Sequence, residues 1–207
     1  MIISESHKFI FAAIPKTGTH SVRRALRPHM SEGDIEQVRL FEEKQFPIPE
    51  LASLRHGHIS LAQLRPFLEP AKFDSFFKFA FVRNPFDRFV SYCAFMTRKG
   101  GEFDKDPKRV LWHILTAPGP RTHILFQPQC SFIVASDGTP LTDYIGRVEQ
   151  MQSSFDEICD RIGIPRATLE KSNESSRGDY RQYYDDRLKE GVAKLYAQDL
   201  ELFGYEF

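Results

Sequence analysis

Lys8-Phe-Ile-Phe-Ala-Ala-Ile14 runs directly into Pro15-Lys-Thr-Gly-Thr-His-Ser21. The first stretch is β-branched and aromatic and too short for most helices, which predicts a buried strand over residues 8–14. Beyond the glycine, Val22, Ala25 and Leu26 recur at helical spacing on one face. A strand, a tight loop and a helix N-terminus make a cradle for an anion: loop amides and the positive helix end point at one spot. Lys16 and the hydroxyls of Thr17, Thr19 and Ser21 stand beside that spot. The prediction is a phosphate-bearing ligand at residues 16–21. An ordinary strand-to-helix turn with a solvated lysine accounts for the same residues, and the loop alone does not choose between the two. The Walker A pattern places its lysine after a second glycine. Here Lys16 precedes Gly18, and no glycine stands four or five residues upstream. A nucleotide triphosphatase or P-loop kinase is disfavoured on that ground; a phosphate cradle is not.

A second strand-like run, residues 76–82, leads into Arg83-Asn-Pro-Phe-Asp-Arg-Phe-Val-Ser-Tyr92. Asn84 suits an N-cap and Pro85 the first helical position. Asp87 falls at the third, where its charge favours the positive helix end. Arg83 is then expected at the C-terminal end of a strand, the edge at which open parallel sheets bind ligands. Two such units predict a ligand with two separated anionic groups, held in an α/β fold whose P-loop-like central parallel sheet is flanked by helices.

These residues bring a family into view. Pro15-Lys-Thr-Gly-Thr-His-Ser21 resembles the 5′-phosphosulfate loop of sulfotransferases, and Arg83-x-Pro-x-x-Arg-x-x-Ser91-Tyr92 resembles their 3′-phosphate motif. Residues 127–149, with Gln127-Pro-Gln129, and the end of the chain, 195–207, are similar to the carbohydrate (Golgi-like) type. The resemblance implies 3′-phosphoadenosine 5′-phosphosulfate (PAPS) as donor. Lys16, Thr17, Gly18, Thr19, His20 and Ser21 would hold its 5′ end; Arg83 and Ser91 would hold its 3′ phosphate. Arg177 and Ser175, in the polar stretch 171–179, are further candidates for that phosphate; a disordered loop is the other reading of the stretch. His20 stands where the family often has threonine or serine, so a ring nitrogen replaces a hydroxyl there or the side chain points away.

Arg55-His56-Gly57-His58-Ile59-Ser60 is the third informative site. Two histidines suggest a metal pair, but zinc sites use three or four protein ligands and no third has suitable spacing. A loop with surface histidines is the plain alternative. The segment resembles the catalytic segment of heparan sulfate 2-O-sulfotransferases, which implies His58 as general base and His56 as its neighbour or a substrate contact. Sulfuryl transfer to a hydroxyl needs a base for the hydroxyl proton, and a neutral imidazole suits that task. Lys16 would neutralise charge on the departing phosphate oxygen. Lysine and amides would supply the positive field, so no metal is expected. The implied activity is transfer from PAPS to an acceptor hydroxyl, expected on a carbohydrate. The alternative of a different class is a catalytically silent nucleotide-binding module of the same fold.

Composition agrees. The 207 residues are enough for one sizeable core, expected as a single domain over 1–207, and they include nineteen phenylalanines. A net charge of zero predicts no bulk attraction to nucleic acid or membrane. Arg98, Lys99, Lys105, Lys108 and Arg109 form a local basic stretch, read more simply as a solvated loop. The three cysteines are widely spaced and odd in number, as for reduced buried thiols in a cytosolic protein. No apolar run reaches the ~18 residues of a membrane span, and residues 1–8 lack a signal-peptide pattern. A cytoplasmic, bacterial enzyme is the expectation. Acceptor identity and oligomeric state have no signature. Further helices are expected over 60–68, 85 to about 98, 109–115, 153–162 and 180–202 from caps and apolar spacing. An irregular connection is expected over 31–50, and Arg147 and Glu149 are expected to share a strand face.

Overall fold

The computed structural model describes residues 1–37, 46–54, 56–170 and 178–207. Its strands are β1 (Ile2–Ser4), β2 (Phe9–Ala12), β3 (Ile35–Glu36), β4 (Phe77–Val82) and β5 (Tyr144–Arg147). The helices are α1 (Thr19–Leu26), α2 (Pro49–Ala52), α3 (Leu61–Leu64), α4 (Pro70–Ser75), α5 (Pro85–Thr97), α6 (Glu102–Lys105), α7 (Pro107–Thr116), α8 (Met151–Ile162), α9 (Asp186–Leu195) and α10 (Ala197–Phe203). The chain divides into two compact units, Met1–Val82 with Ser131–Ser172, and Arg83–Cys130 with Asn173–Phe207.

The first unit holds the sheet, in the order β3-β1-β2-β4-β5. Both predicted apolar runs become neighbouring strands: β2 lies parallel to β4, which lies parallel to β5. Continuous apolar runs of this kind need cover on both faces. One face carries Phe9, Phe11, Phe79 and Phe81, packed with Val22 and Leu26 of α1 and with Phe155, Ile158 and Ile162 of α8. Phe79 lies between Phe9 and Phe11, with ring centroids 5.7 and 5.2 Å away. The expected parallel centre flanked by helices is present, but the whole sheet is mixed. β1 pairs antiparallel with β2 and with β3. A tight turn joins β1 to β2, and a short turn can only return the chain antiparallel. Asp34 ties that turn down, accepting from the Glu5 and Ser6 amides at 2.7 and 3.2 Å and from the Ser31 amide at 2.9 Å.

On β4 one cation is buried. Lys78 donates to the carbonyls of Phe73 and Phe76 at 3.1 and 2.7 Å and pairs with Asp143 at 3.0 Å. It thereby satisfies carbonyls that the end of α4 leaves open. The expectation over 31–50 holds only in part, because Ile35–Glu36 form β3 and Pro49–Ala52 form α2; residues 38–45 lie outside the described residues. Glu149 sits in a 3₁₀ turn beyond β5, so it does not share a strand face with Arg147.

Local signals set most helix ends. Ser60 and Gln63 form a capping box on α3, which passes into a 3₁₀ turn at Arg65–Phe67. Asn84 accepts from the Phe86 amide and Pro85 opens α5; Asp106 does the same for α7 from Arg109. Gly163, at φ +69°, stops α8.

The second unit packs Phe86, Phe89, Tyr92, Leu111, Leu188 and Tyr196 into one core. The single helix expected over 180–202 is three pieces: a 3₁₀ turn at Tyr180–Tyr183, then α9, then α10. Asp185 caps α9 through the Leu188 amide. The break falls at Tyr196, whose buried hydroxyl donates to the Phe126 carbonyl at 2.9 Å. A tertiary anchor there overrides helical continuity. The three cysteines are buried and unbridged. Among the described residues no helix is long and apolar enough to cross a membrane.

Candidate functional site

The loop between β2 and α1 carries two residues in the left-handed region, Lys16 at φ +66° and Gly18 at φ +72°. Glycine adopts that conformation freely, whereas lysine pays roughly 1–2 kcal/mol for it. Alternating handedness along a short loop turns successive amides inward and makes an anion-binding nest. The loop runs directly into the N-terminus of α1, whose first turn holds no acidic residue. Lys16 and Gly18 are half-buried, Thr19 and Ser21 buried, and His20 exposed.

Thr17 departs from expectation. Its side chain is 0% exposed and its hydroxyl donates to the Ile14 carbonyl at 2.9 Å. That hydroxyl staples the loop, so only the Thr17 amide is a candidate ligand group. Gly18 is also packed closely: a Cβ there would lie 2.5 Å from Cε of Met151.

His58 belongs to the same unit. Its Nδ1 lies 2.7 Å from the carbonyl oxygen of Ala13, the residue that follows β2 and precedes the loop by two positions. A carbonyl only accepts, so Nδ1 carries the proton and Nε2 holds the lone pair. Burial pulls the imidazole pKa down to about 3; the Ala13 bond opposes this, while the Met1 amine, Arg23 and His56 add to it. His58 is therefore neutral at physiological pH, in the tautomer a base at Nε2 requires. His56 stands two residues before it, across Gly57.

Arg23 lacks any sequence signal for a role here. On α1 it is buried and donates to the carbonyls of Gln37 and Gly57 at 2.8 and 3.4 Å. The helix that begins at the loop thus also reaches the peptide between the two histidines.

Arg83 and Ser91 belong to the second unit. The Arg83 guanidinium pairs through Nε with Asp87 at 2.6 Å, and its main chain is bonded to Gln129. Ser91 is buried on α5. Arg88 of the same motif is buried. It is 1% exposed and donates to the Leu125 and Gln127 carbonyls at 3.2 and 2.8 Å. Of the basic stretch, Arg98 folds back over Phe95, 3.8 Å from the ring centre. Arg177, Ser175 and Arg55 lie outside the described residues. The structure therefore ties His58 to the start of the loop within one unit and turns Thr17's hydroxyl and Arg88 to structural use. Gln129 emerges as a residue with no role readable from sequence; its only signal is the Gln127-Pro-Gln129 stretch.

Residues 1–97 match the model of the sulfotransferase family. The matched stretch runs from β1 through α5 and contains the loop, both histidines and the Arg83–Tyr92 motif. It supports sulfuryl transfer in general terms. No curated protein and no solved structure matches the chain.

Proposed function

We propose that this chain moves a sulfuryl group from PAPS to a hydroxyl, on a carbohydrate acceptor, with His58 as general base. The observation that carries the proposal is the hydrogen bond from His58 to Ala13. It attaches a neutral imidazole, with its Nε2 lone pair intact, to the chain segment that opens the anion nest. The family match over residues 1–97 supports the reaction class.

In the proposed step, Nε2 of His58 takes the acceptor's proton as the acceptor oxygen bonds to sulfur. The bond from sulfur to the 5′-phosphate oxygen breaks, and 3′-phosphoadenosine 5′-phosphate leaves. Lys16, with the amides of Thr17, Gly18 and Thr19, neutralises charge growing on the departing oxygen. Ser21 and His20 are the remaining donors at the 5′ end, and His56 is the acceptor contact. Arg83 and Ser91 enter through their motif as the groups for the 3′ phosphate. Resemblance to heparan sulfate 2-O-sulfotransferases supports the choice of a carbohydrate hydroxyl.

A base with a pKa of about 3 is weak. The donor brings several negative charges to the nest, and nearby negative charge raises an imidazole pKa toward the working pH. The same depressed value is the specific observation that favours a second function, a silent nucleotide-binding module.

Calorimetric titration with 3′-phosphoadenosine 5′-phosphate, against ATP and 5′-AMP, tests the donor. Tight binding that requires the 3′ phosphate supports it; preference for ATP sinks it. Incubation with PAPS and a panel of carbohydrate hydroxyls then separates transfer from silent binding.

A further inference from the structure

Within the second unit, three stretches far apart in sequence meet at Arg83. Gln129 is 0% exposed. Its Oε1 accepts the Arg83 amide proton at 2.9 Å, and its Nε2 donates to the Arg83 carbonyl at 2.9 Å. One side-chain amide thus occupies both main-chain polar groups of a single residue. Gln129 is itself seated from the C-terminal segment. The carboxylate of Asp199, also 0% exposed, accepts the amides of Gln129 and Cys130 at 2.8 Å each. The neighbouring Asn84 donates to the Glu206 carbonyl at 2.7 Å.

A buried amide and a buried carboxylate are costly unless their bonds are complete. Starting α5 does not require them, because Asn84 and Pro85 already do so. What the two groups hold in common is the orientation of the Arg83 peptides on both sides of its Cα, and so the direction in which its side chain leaves. Asp87 then engages Nε, and the two Nη groups are the donors that an anion would take as a fork.

We propose that Gln129, seated by Asp199, is a positioning residue that aims the Arg83 guanidinium at the 3′ phosphate of the donor. The proposal rests on the donor assignment above. It is read from the ratio of two dissociation constants, for 5′-AMP and for adenosine 3′,5′-bisphosphate, measured by calorimetry on the whole chain. That ratio isolates the 3′ phosphate, and a merely structural weakening would move both constants together.

Gln129→Met is expected to keep 5′-AMP affinity within about twofold and to lose about tenfold or more of the 3′-phosphate preference. Arg83→Ala should lose the same preference, and the double variant no more than either single one, as for two residues acting as a unit. Asp199→Asn loosens Gln129 without touching it, and carries the comparison if Gln129→Met does not fold. A wild-type ratio near one overturns the donor assignment and this proposal with it. A discriminating wild type whose folded Gln129 or Asp199 variant keeps its full preference overturns this proposal alone.

Discussion

His58 donates its Nδ1–H to the carbonyl oxygen of Ala13 across 2.7 Å, joining residues 45 apart in the chain. One bond selects the tautomer and ties the ring to the strand that delivers the loop. Everything proposed for His58 depends on that contact, and it can be tested directly.

Replacing His58 by alanine should leave affinity for 3′-phosphoadenosine 5′-phosphate intact and lower transfer by about 10²–10⁴, the usual contribution of a general base. Single-turnover transfer from PAPS measures it. Unchanged transfer removes His58 from the mechanism.

The neutral state of His58 has a consequence for stability against pH. Its folded pKa, about 3, lies below the ordinary 6.5. Between those values the unfolded chain binds the proton and the folded chain does not, so acid favours unfolding. Stability from this group is complete above pH 6.5 and falls as pH drops toward 3, by at most about 1.4 kcal/mol per pH unit. Urea midpoints at pH 7 and pH 5 should diverge in the native chain by more than in His58→Gln. Equal divergence in the two would refute a buried neutral imidazole.

Lys16 holds a backbone conformation that glycine accepts without strain. Lys16→Gly should keep stability or raise it by up to about 1 kcal/mol, relief of strain being partly offset by glycine's greater unfolded entropy. Transfer should fall sharply because the cation is gone. Lys16→Ala should lose the same activity with no gain in stability. A glycine variant markedly less stable than the alanine variant would argue against the strained loop.

Arg88 feeds two carbonyls from a buried guanidinium. Arg88→Met should cost roughly 2–4 kcal/mol, from two lost charge-assisted bonds and the carbonyls left behind. Denaturant unfolding checks this. A change below about 0.5 kcal/mol, the size typical of surface substitutions, would mean the clamp contributes nothing.

The local architecture was legible because neighbouring residues encode it. Apolar runs over 8–14 and 76–82 became β2 and β4. Asn84, Ser60 and Gly163 set helix ends as their side chains or conformational freedom dictate. The order of loop, histidine pair and arginine motif was equally readable, since each is a contiguous string. The two- and three-residue strands β3 and β1 were not, because so few residues carry no periodicity. Nor was the break at Tyr196, which a bond to Phe126 determines.

Sequence by itself thus determined the longer strands, several helix ends and the chemical inventory: a lysine-bearing glycine loop, two histidines, an arginine motif. Tertiary structure alone decided what each member contacts. Lysine has no local preference for φ +66°, so its conformation comes from the packed loop around it. The tautomer and acidity of His58 come from burial and from Ala13. Thr17 and Arg88 carry ligand-like chemistry but face carbonyls, and Gln129 meets Arg83 from 46 residues away. Hydrogen bonds and desolvation act through space, and no pattern of adjacent residues records which distant carbonyl or amide a side chain will find.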